Sequence, residues 1–284
     1  MIDGASSAQT GVDPLPDYES PPVVEVVLAV GFRPLPGLRL IQLAQLWESE
    51  FRSSFPTVEE QPPVAVQMER LDDQREGPSL RFDLMQTPPL PRLWLLSETG
   101  TQLVQVQNDW FARNWRKMAP VADYPRYPNL KEPFSVDFGK LAEFLRRNDL
   151  GEILPTQCEL TYINHIPVMP GQAEQLADIL SIVATPKPGG FLPIAESIRV
   201  ASQYVVRLQE EPVGRLHIAA EPAFRRSDSS PIVVLTLTAR GRPLGVGLDG
   251  VLAFLDLGHE WIVRAFDSVT TSKMHRIWGR KVNG

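Results

Sequence analysis

The chain of 284 residues has a formal net charge of −6, with 43% hydrophobic and 22% charged side chains. This composition is typical of a globular protein and excludes a disordered, collagenous or coiled-coil chain. The length accommodates one large core or two modest domains. A single cysteine, Cys158, excludes an internal disulfide framework and a thiolate-rich metal site. The 27 prolines are about twice the usual share of about 5% and predict many short elements.

The charge is distributed unevenly along the chain. Residues 1–150 hold 21 acidic and 15 basic side chains, whereas residues 151–284 hold 13 of each. Nucleic-acid binding needs clustered Lys and Arg, and the longest basic cluster, Arg113 to Lys117, holds three positive charges. We therefore do not expect a nucleic-acid partner. The acidic half is where we expect contact with a partner protein, and a basic partner would be complementary to it.

The first 22 residues combine four prolines with several acidic side chains. This composition predicts a disordered acidic tail over residues 1–22. The segment lacks the basic start and apolar centre of a secretory signal, and no stretch of the chain reaches the about 18 apolar residues of a spanning helix. Together with the lone cysteine, these features predict a cytoplasmic protein without membrane contact.

Residues 23–151 form the first predicted half. Val23 to Phe32 is rich in branched residues and predicts a strand. Apolar residues at steps of three and four predict a helix from Leu38 to Ser54, and a second helix with a stripe from Phe134 to Leu145 follows a proline-rich connector. Four strands are predicted between these helices: Val64 to Leu71, Leu80 to Gln86, Leu93 to Ser97, and Gln102 to Trp115.

Residues 152–284 form the second predicted half. A strand from Glu159 to Ile166 precedes a helix from Gln172 to Val183, and a long helix from Leu248 to Thr270 closes the half. Three strands are predicted between these helices: Ser197 to Leu208, Gly214 to Ala220, and Ile232 to Ala239. The halves therefore share the order β-α-β(3–4)-α, although their sequences show no similarity.

This shared order predicts an α+β fold made of duplicated units, with antiparallel sheets and helices on one face. By analogy, the order is that of TATA-box-binding-protein-like and helix-grip folds. One continuous, saddle-shaped sheet is the interpretation that we adopt, and two separate domains are the alternative.

Catalytic motifs are not found in the sequence. It contains no nucleophile elbow, phosphate loop or His-Glu-x-x-His pair, and its four histidines lack ligand spacing, so we predict neither metal nor cofactor and lean towards a protein without enzymatic activity. Gly245, Gly247 and Gly250 match the dinucleotide fingerprint formally. We interpret them as a loop leading into the last helix, with nucleotide binding as the alternative, because no parallel strand follows.

Three segments combine aromatic and polar side chains. Asn108 to Trp115 either packs in the core or stacks on a planar ligand, and Tyr124 to Leu130 either clamps the sheet or presents two phenols at a fixed separation. Tyr162 and Asn164 share one strand face, whereas His165 lies on the other, either satisfying a backbone carbonyl or joining a polar cluster at a cleft. The candidate binding residues are Arg113, Asn114, Trp115, Tyr124, Tyr127, Tyr162, Asn164 and His165.

Five motifs carry a resemblance to a known family. They are PPVVEVVLAVGF, QVQNDWFARNW, YPRYPNL, TYINHIP and the C-terminal HEWIVRAFDSVTTSKMHRIWG. In this order they resemble an uncharacterised, sporadically distributed bacterial protein family of about this length. The patchy occurrence of that family implies a mobile accessory gene, such as toxin–antitoxin or phage-defence cargo. The resemblance implies no catalytic residue and no cofactor.

The sequence thus predicts a non-enzymatic bacterial accessory protein that binds a protein partner, of the antitoxin, immunity or phage-defence type. The alternative is a small-molecule-binding or hydrolytic helix-grip protein with a site around Asn164 and His165. That alternative predicts one enclosed pocket of about 300–1,000 Å³, lined by these two residues together with Arg113, Trp115 and Tyr162. Nucleic-acid binding through the saddle is a third hypothesis and requires a basic concave face.

Overall fold

The computed structural model describes residues 14–71, 90–118, 123–168, 175–183, 191, 195 and 197–281. Within these residues the chain forms an α+β fold of nine strands and five helices. In chain order the elements are β1 (Val23–Phe32), α1 (Leu40–Leu46) continued by a π-helical turn (Trp47–Phe51), β2 (Thr57–Gln61), β3 (Arg92–Leu96), β4 (Gln102–Gln107), β5 (Trp110–Arg116), α2 (Pro128–Arg147), β6 (Pro155–Pro167), α3 (Gln175–Ile179), β7 (Val200–Leu208), β8 (Glu211–Phe224), β9 (Pro231–Gly241), α4 (Gly247–Val269) and α5 (Ser272–Ile277).

The nine described strands form one antiparallel sheet in the order β2-β3-β4-β5-β1-β6-β9-β8-β7. β1 and β6 pair at the junction of the halves, with Leu28 opposite Leu160. The other strands of residues 23–116 continue from β1 to one edge, and those of residues 155–241 continue from β6 to the other. One continuous sheet therefore joins the two predicted halves.

The helices pack on one face of this sheet. Side chains alternate along a strand, and Val26, Leu28 and Val30 of β1 lie on the face that the helices cover. α2 packs over β5, and α4 packs over β6 and β9, where Phe134 and Phe254 are fully buried. We call this side the helix-covered face.

None of the described helices has the length and apolar composition that crossing a bilayer requires.

The other side, which we call the open face, carries mostly polar side chains and none of the described helices. Gln105 donates through Nε2 to Asn114 Oδ1 at 2.7 Å, and Asn114 donates through Nδ2 to Glu25 Oε1 at 2.6 Å. A small apolar cluster of Ala29, Trp110 and Ala112 lies beside this network. The open face is therefore held by hydrogen bonds and a few apolar contacts.

The single long strand predicted from Gln102 to Trp115 is wrong. The chain turns at Asn108 and Asp109, so that β4 and β5 form a hairpin with Val106 opposite Phe111. Because the turn contains two residues, apolar residues of opposite parity in β4 and β5 point to the same face. Val106 and Phe111, which lie on opposite faces of a single strand, therefore share one face of the hairpin.

Two further predicted segments differ from the structure. Val64 to Leu71, predicted as a strand, has no regular secondary structure and crosses the open face, while β2 forms earlier in the chain. Its backbone bonds to a side chain, Gln107, instead of a neighbouring strand. The predicted strand from Leu80 to Gln86 lies outside the described residues. α5 was not predicted.

Residues 14–22 differ from the predicted disordered tail. Tyr18 is only 4% exposed, and its ring packs edge-on against Phe266 with ring centroids 5.5 Å apart. The Tyr18 hydroxyl donates to Asp267 Oδ1 at 2.6 Å, and its backbone bridges to Arg280. One buried aromatic side chain thus fixes an otherwise acidic, proline-rich segment. Residues 1–13 lie outside the described part of the chain.

Candidate functional site

Between the helix-covered face and helices α2 and α4 lies a cavity of about 220 Å³. We call it the tyrosine cavity, and four residues predicted from the sequence line it: Tyr124, Tyr127, Tyr162 and Asn164. His259 and Phe266 of α4 and the segment Leu15 to Tyr18 complete the principal walls. The cavity is therefore formed by both halves of the chain and by the N-terminal segment.

The local folding of each element explains how these side chains meet. Tyr162 and Asn164 are two residues apart on β6, so both point from the sheet towards the helices. Tyr127 immediately precedes α2, and Pro128 occupies the first helical position, which proline favours because its missing N–H is not needed there. The segment from Tyr124 to Leu130 is therefore helical from Pro128 onwards.

The aromatic hydroxyls form a short hydrogen-bonded chain. The Tyr124 and Tyr162 hydroxyls are 2.9 Å apart, and the Tyr162 hydroxyl lies 3.0 Å from His259 Nδ1. The Tyr127 ring stacks on the His259 ring with centroids 4.1 Å apart, and its hydroxyl donates to Asp256 Oδ1 at 3.0 Å. Each hydroxyl in this chain can donate or accept, so the chain can adapt to either kind of polar ligand group.

Burial keeps these groups uncharged at neutral pH. It raises the pKa of Tyr124 to about 12 and raises the pKa of Tyr162 well above its usual value. Burial also lowers the pKa of His259 to about 4, against the opposing influence of Asp256 and Glu260. The aromatic polar groups of the cavity are therefore neutral phenols and a neutral imidazole. These groups include no tyrosinate or imidazolium at pH 7.

Asn164, which lines the cavity, has an unfilled hydrogen-bonding position. The residue is 1% exposed, and its Nδ2 donates to the Leu235 carbonyl at 3.0 Å, whereas its Oδ1 has no partner. An unpaired buried acceptor costs about 1–3 kcal/mol. Among the described side chains that hold such an atom, Asn164 is the one that is itself fully buried. A ligand N–H or O–H in the cavity would satisfy it.

Charged side chains lie at the N-terminal wall of the cavity. Asp17 accepts hydrogen bonds from Arg126 at 2.8 Å and from Lys281 at 2.6 Å, and Arg126 also donates to the Tyr18 carbonyl. Arg126 has φ of +70°, a left-handed conformation that residues with a side chain adopt infrequently. These contacts hold residues 15–18 against the cavity and neutralise the charges beside it.

The remaining predicted residues lie elsewhere. Arg113 pairs with Asp137 of α2 in a separate cavity, and Trp115 packs against Tyr124 with ring centroids 5.7 Å apart without lining the tyrosine cavity. Asn114 lies in the network of the open face, and His165 also points to the open face because it neighbours Asn164 along the strand. The single pocket lined by Arg113, Trp115, Tyr162, Asn164 and His165 is therefore not formed.

Tyr18 and His259 line the cavity but were not among the residues predicted from the sequence. A signal for His259 was present, because it follows Leu255 by four residues and precedes Ile262 by three, which places it on the apolar stripe of α4. A histidine on such a stripe is expected to be buried and to need a partner. Tyr18 was the only aromatic residue in an acidic segment, and this pattern alone did not indicate burial.

The glycine-rich segment leads directly into α4, which begins at Gly247. The Leu244 N–H donates to the Gly250 carbonyl at 2.9 Å, and a side chain on Gly250 would collide with the backbone of Gly245. The sheet beside this loop is antiparallel, so the βαβ unit of a dinucleotide site is not formed.

Within the described residues, no group of three His, Cys, Asp or Glu side chains is arranged to hold a metal ion.

Comparison of the chain with protein-family models, with curated proteins and with solved structures gave no match. The resemblance to a sporadically distributed bacterial family stays a prediction, and the site is interpreted from its own geometry.

Proposed function

We propose that the protein binds a small, mostly apolar molecule in the tyrosine cavity through a hydrogen bond from the ligand to Asn164. The unpartnered, fully buried Oδ1 of Asn164 carries this proposal. A buried polar group without a partner is rare in folded proteins. Asn164 lines the cavity, where the N–H or O–H of a ligand would supply the missing donor.

The lining of the cavity supports a neutral planar ligand. Its walls are mostly aromatic and aliphatic, the phenols and imidazole are uncharged at pH 7, and the charged Asp17 and Arg126 at the N-terminal wall pair with each other. An apolar cavity of about 150 Å³ accommodates a benzene ring, so about 220 Å³ accommodates a bicyclic ring. Burial keeps the Tyr162 phenol and the His259 imidazole neutral at pH 7, in the forms that hydrogen-bond to an uncharged ligand.

Blocking the cavity tests this proposal. Indole, a planar bicycle with one N–H donor, is titrated into the full chain and followed by calorimetry or by NMR. We expect saturable binding to the wild type and loss of binding in Val263→Phe, where the larger side chain occupies the cavity. The control is Val136→Phe, because Val136 is exposed on α2 and does not line this cavity. Equal binding by both variants would refute a site in the cavity.

The second candidate function is the binding of a protein partner by a cytoplasmic accessory protein of the antitoxin, immunity or phage-defence type. The excess of acidic side chains in residues 1–150 supports a basic partner for that half. The observation that favours partner binding is the extended segment, residues 62–71, on the open face, because a surface that holds one extended chain can hold another.

Internal duplication is proposed as the origin of the fold, by analogy with TATA-box-binding-protein-like and helix-grip folds. The strand order supports it: the last strand of each half lies beside the first, β5 beside β1 and β9 beside β6, and the remaining strands continue outwards in reverse order. The two halves differ in strand number, and their sequences provide no support of their own.

A further inference from the structure

The open face carries an extended piece of the chain itself, residues 62–71, which we call the crossing segment. It has no regular secondary structure and lies across the strands instead of beside one. Between Val64 and Glu69 it contacts β4 first, then β1 and β6, and finally β9 and β8. It therefore contacts both halves of the sheet.

Two buried glutamines bind the backbone of the crossing segment. Gln107 of β4, which is 3% exposed, accepts from the Val64 N–H at 3.0 Å and donates to the Val64 carbonyl at 2.7 Å. Gln157 of β6, which is 2% exposed, accepts from the Glu69 N–H at 3.0 Å. An amide that bonds both backbone groups of one residue replaces the contacts of a neighbouring strand. These contacts recognise an extended chain whatever its side chains are.

An apolar position follows at Val66. A side chain on Gly31 of β1 would place its Cβ 2.5 Å from Val66 Cγ1, so glycine leaves the room that this valine occupies. Val66 also packs against the cluster that contains Ala29 and Trp110. The open face thus has a shallow apolar contact site for the side chain of Val66, which follows the residue bound by Gln107 by two positions.

The carboxylate of Glu69 enters a basic cluster formed by β8 and β9. It lies 2.8 Å from Arg215 Nη1, 2.5 Å from His217 Nε2 and 3.5 Å from Arg240 Nη1, and its side chain is only 9% exposed. Burial alone would raise the pKa of Glu69, but hydrogen bonds from His217 and Arg215 hold it below its usual value. The cluster is therefore arranged to receive a carboxylate.

We propose that the open face is a docking surface for an extended acidic segment of a partner protein, which displaces the crossing segment. The binding sites for the backbone at Val64, for the apolar side chain of Val66 and for the carboxylate of Glu69 define the sequence pattern x-x-Val-x-x-Glu. Without Glu69, the guanidinium groups of Arg215 and Arg240 face only Glu159 as an acidic partner among the described residues. This local charge, and not the net charge of the chain, selects an acidic segment. The proposal does not depend on ligand binding in the tyrosine cavity.

A synthetic peptide with the sequence of residues 61–71, carrying a fluorophore, tests the proposal by anisotropy against the full chain. In the wild type the crossing segment competes with the peptide at high effective concentration. In Glu69→Gln the crossing segment loses the carboxylate that binds the basic cluster. We therefore expect the peptide to bind this variant at least about tenfold more tightly than it binds the wild type. Adding Arg215→Ala to this variant is expected to abolish the gain.

A matched peptide with glutamine in place of the glutamate is the control, and we expect it to bind at least about tenfold more weakly. Circular dichroism checks that each variant is folded. If Glu69→Gln does not fold, Val66→Ala replaces it, because this substitution weakens the apolar contact of the crossing segment with the open face. The affinity of the peptide for Val66→Ala is then compared with that for the wild type. Equal affinity for the two peptides, or no binding to any folded variant, would overturn the proposal.

Discussion

The two faces of the sheet differ in how many polar side chains they carry and in whether these side chains are hydrogen-bonded. The helix-covered face holds few of them, and at the tyrosine cavity one acceptor, Asn164 Oδ1, has no partner. The open face holds many, and its Gln105, Asn114 and Glu25 bond to one another while Glu69 fills the basic cluster. The unfilled acceptor supports the proposed site for a small ligand, and the position filled by Glu69 supports the proposed docking surface, where another chain competes.

We expect the helix-covered face to contribute more to the free energy of unfolding than the open face does. Phe254 of α4 is fully buried on the helix-covered face, where it packs against the paired glycines Gly214 and Gly241. Phe254→Ala is expected to lower the free energy of unfolding by about 3–5 kcal/mol, because it leaves a cavity in the core. Val27→Ala on the open face is expected to cost about 1 kcal/mol. Denaturant unfolding measures both, and equal losses would contradict this expectation.

The next largest loss of stability is expected when the buried ion pair on the helix-covered face is broken. Asp137 is the carboxylate partner of Arg113, whose guanidinium is itself largely buried. Asp137→Ala is expected to cost about 3 kcal/mol, because it leaves a buried charge without its partner. The double variant Arg113→Met with Asp137→Leu is expected to recover most of this loss. Failure of the double variant to recover stability would show that the pair is needed for more than charge compensation.

The pH dependence of stability reports on the burial of His259 at the tyrosine cavity. The pKa of His259 falls from 6.5 in the unfolded chain to about 4 when folded, so the unfolded chain binds more protons between these values. The stability due to neutral His259 is present above pH 6.5 and decreases as the pH falls towards 4. Between pH 7 and pH 5 the loss is about 2 kcal/mol.

Chemical denaturation of the wild type and of His259→Gln at both pH values measures this contribution. Glutamine does not titrate, so the variant is expected to lose less stability than the wild type when the pH is lowered. An identical loss in both proteins would assign the pH dependence to other groups.

The smallest expected effect concerns the crossing segment. Glu69→Gln is expected to lower the global free energy of unfolding by about 1 kcal/mol or less, because few apolar contacts depend on it. The local effect is larger: exchange of the Val64 and Glu69 amide hydrogens, followed by NMR, is expected to accelerate about tenfold. The amide of Leu160 in central β6 serves as the internal control and is expected to be unchanged. Equal acceleration at all three amides would indicate global destabilisation instead.

Much of the fold could be predicted from the sequence, because apolar periodicity reports which face of an element is buried. The stripes of α2 and α4 and the branched residues of β1 correspond to observed elements. The hairpin between β4 and β5 was missed, because Asn108-Asp109 lacks the glycine that marks most two-residue turns. Val64 to Leu71 has the composition of a strand, yet buried glutamines bind its backbone, and this could not be predicted from local sequence.

The candidate site was predicted in part. Strand alternation correctly separates Asn164 from His165, and the paired tyrosines of Tyr124 to Leu130 do lie at one cavity. The contribution of Tyr18 and His259 depends on contacts between residues more than 80 positions apart, such as Tyr162 with His259 at a separation of 97. Local spacing carries no information about such contacts.

We propose that Asn164 Oδ1 receives a hydrogen bond from a ligand in the tyrosine cavity. Indole and benzofuran test it most directly, since they share one shape and differ in the N–H donor. Calorimetry on the wild type is expected to give about tenfold tighter binding of indole than of benzofuran, and Asn164→Leu is expected to bind both alike. Equal affinities in the wild type, or a preference for indole that persists in Asn164→Leu, would contradict the claim.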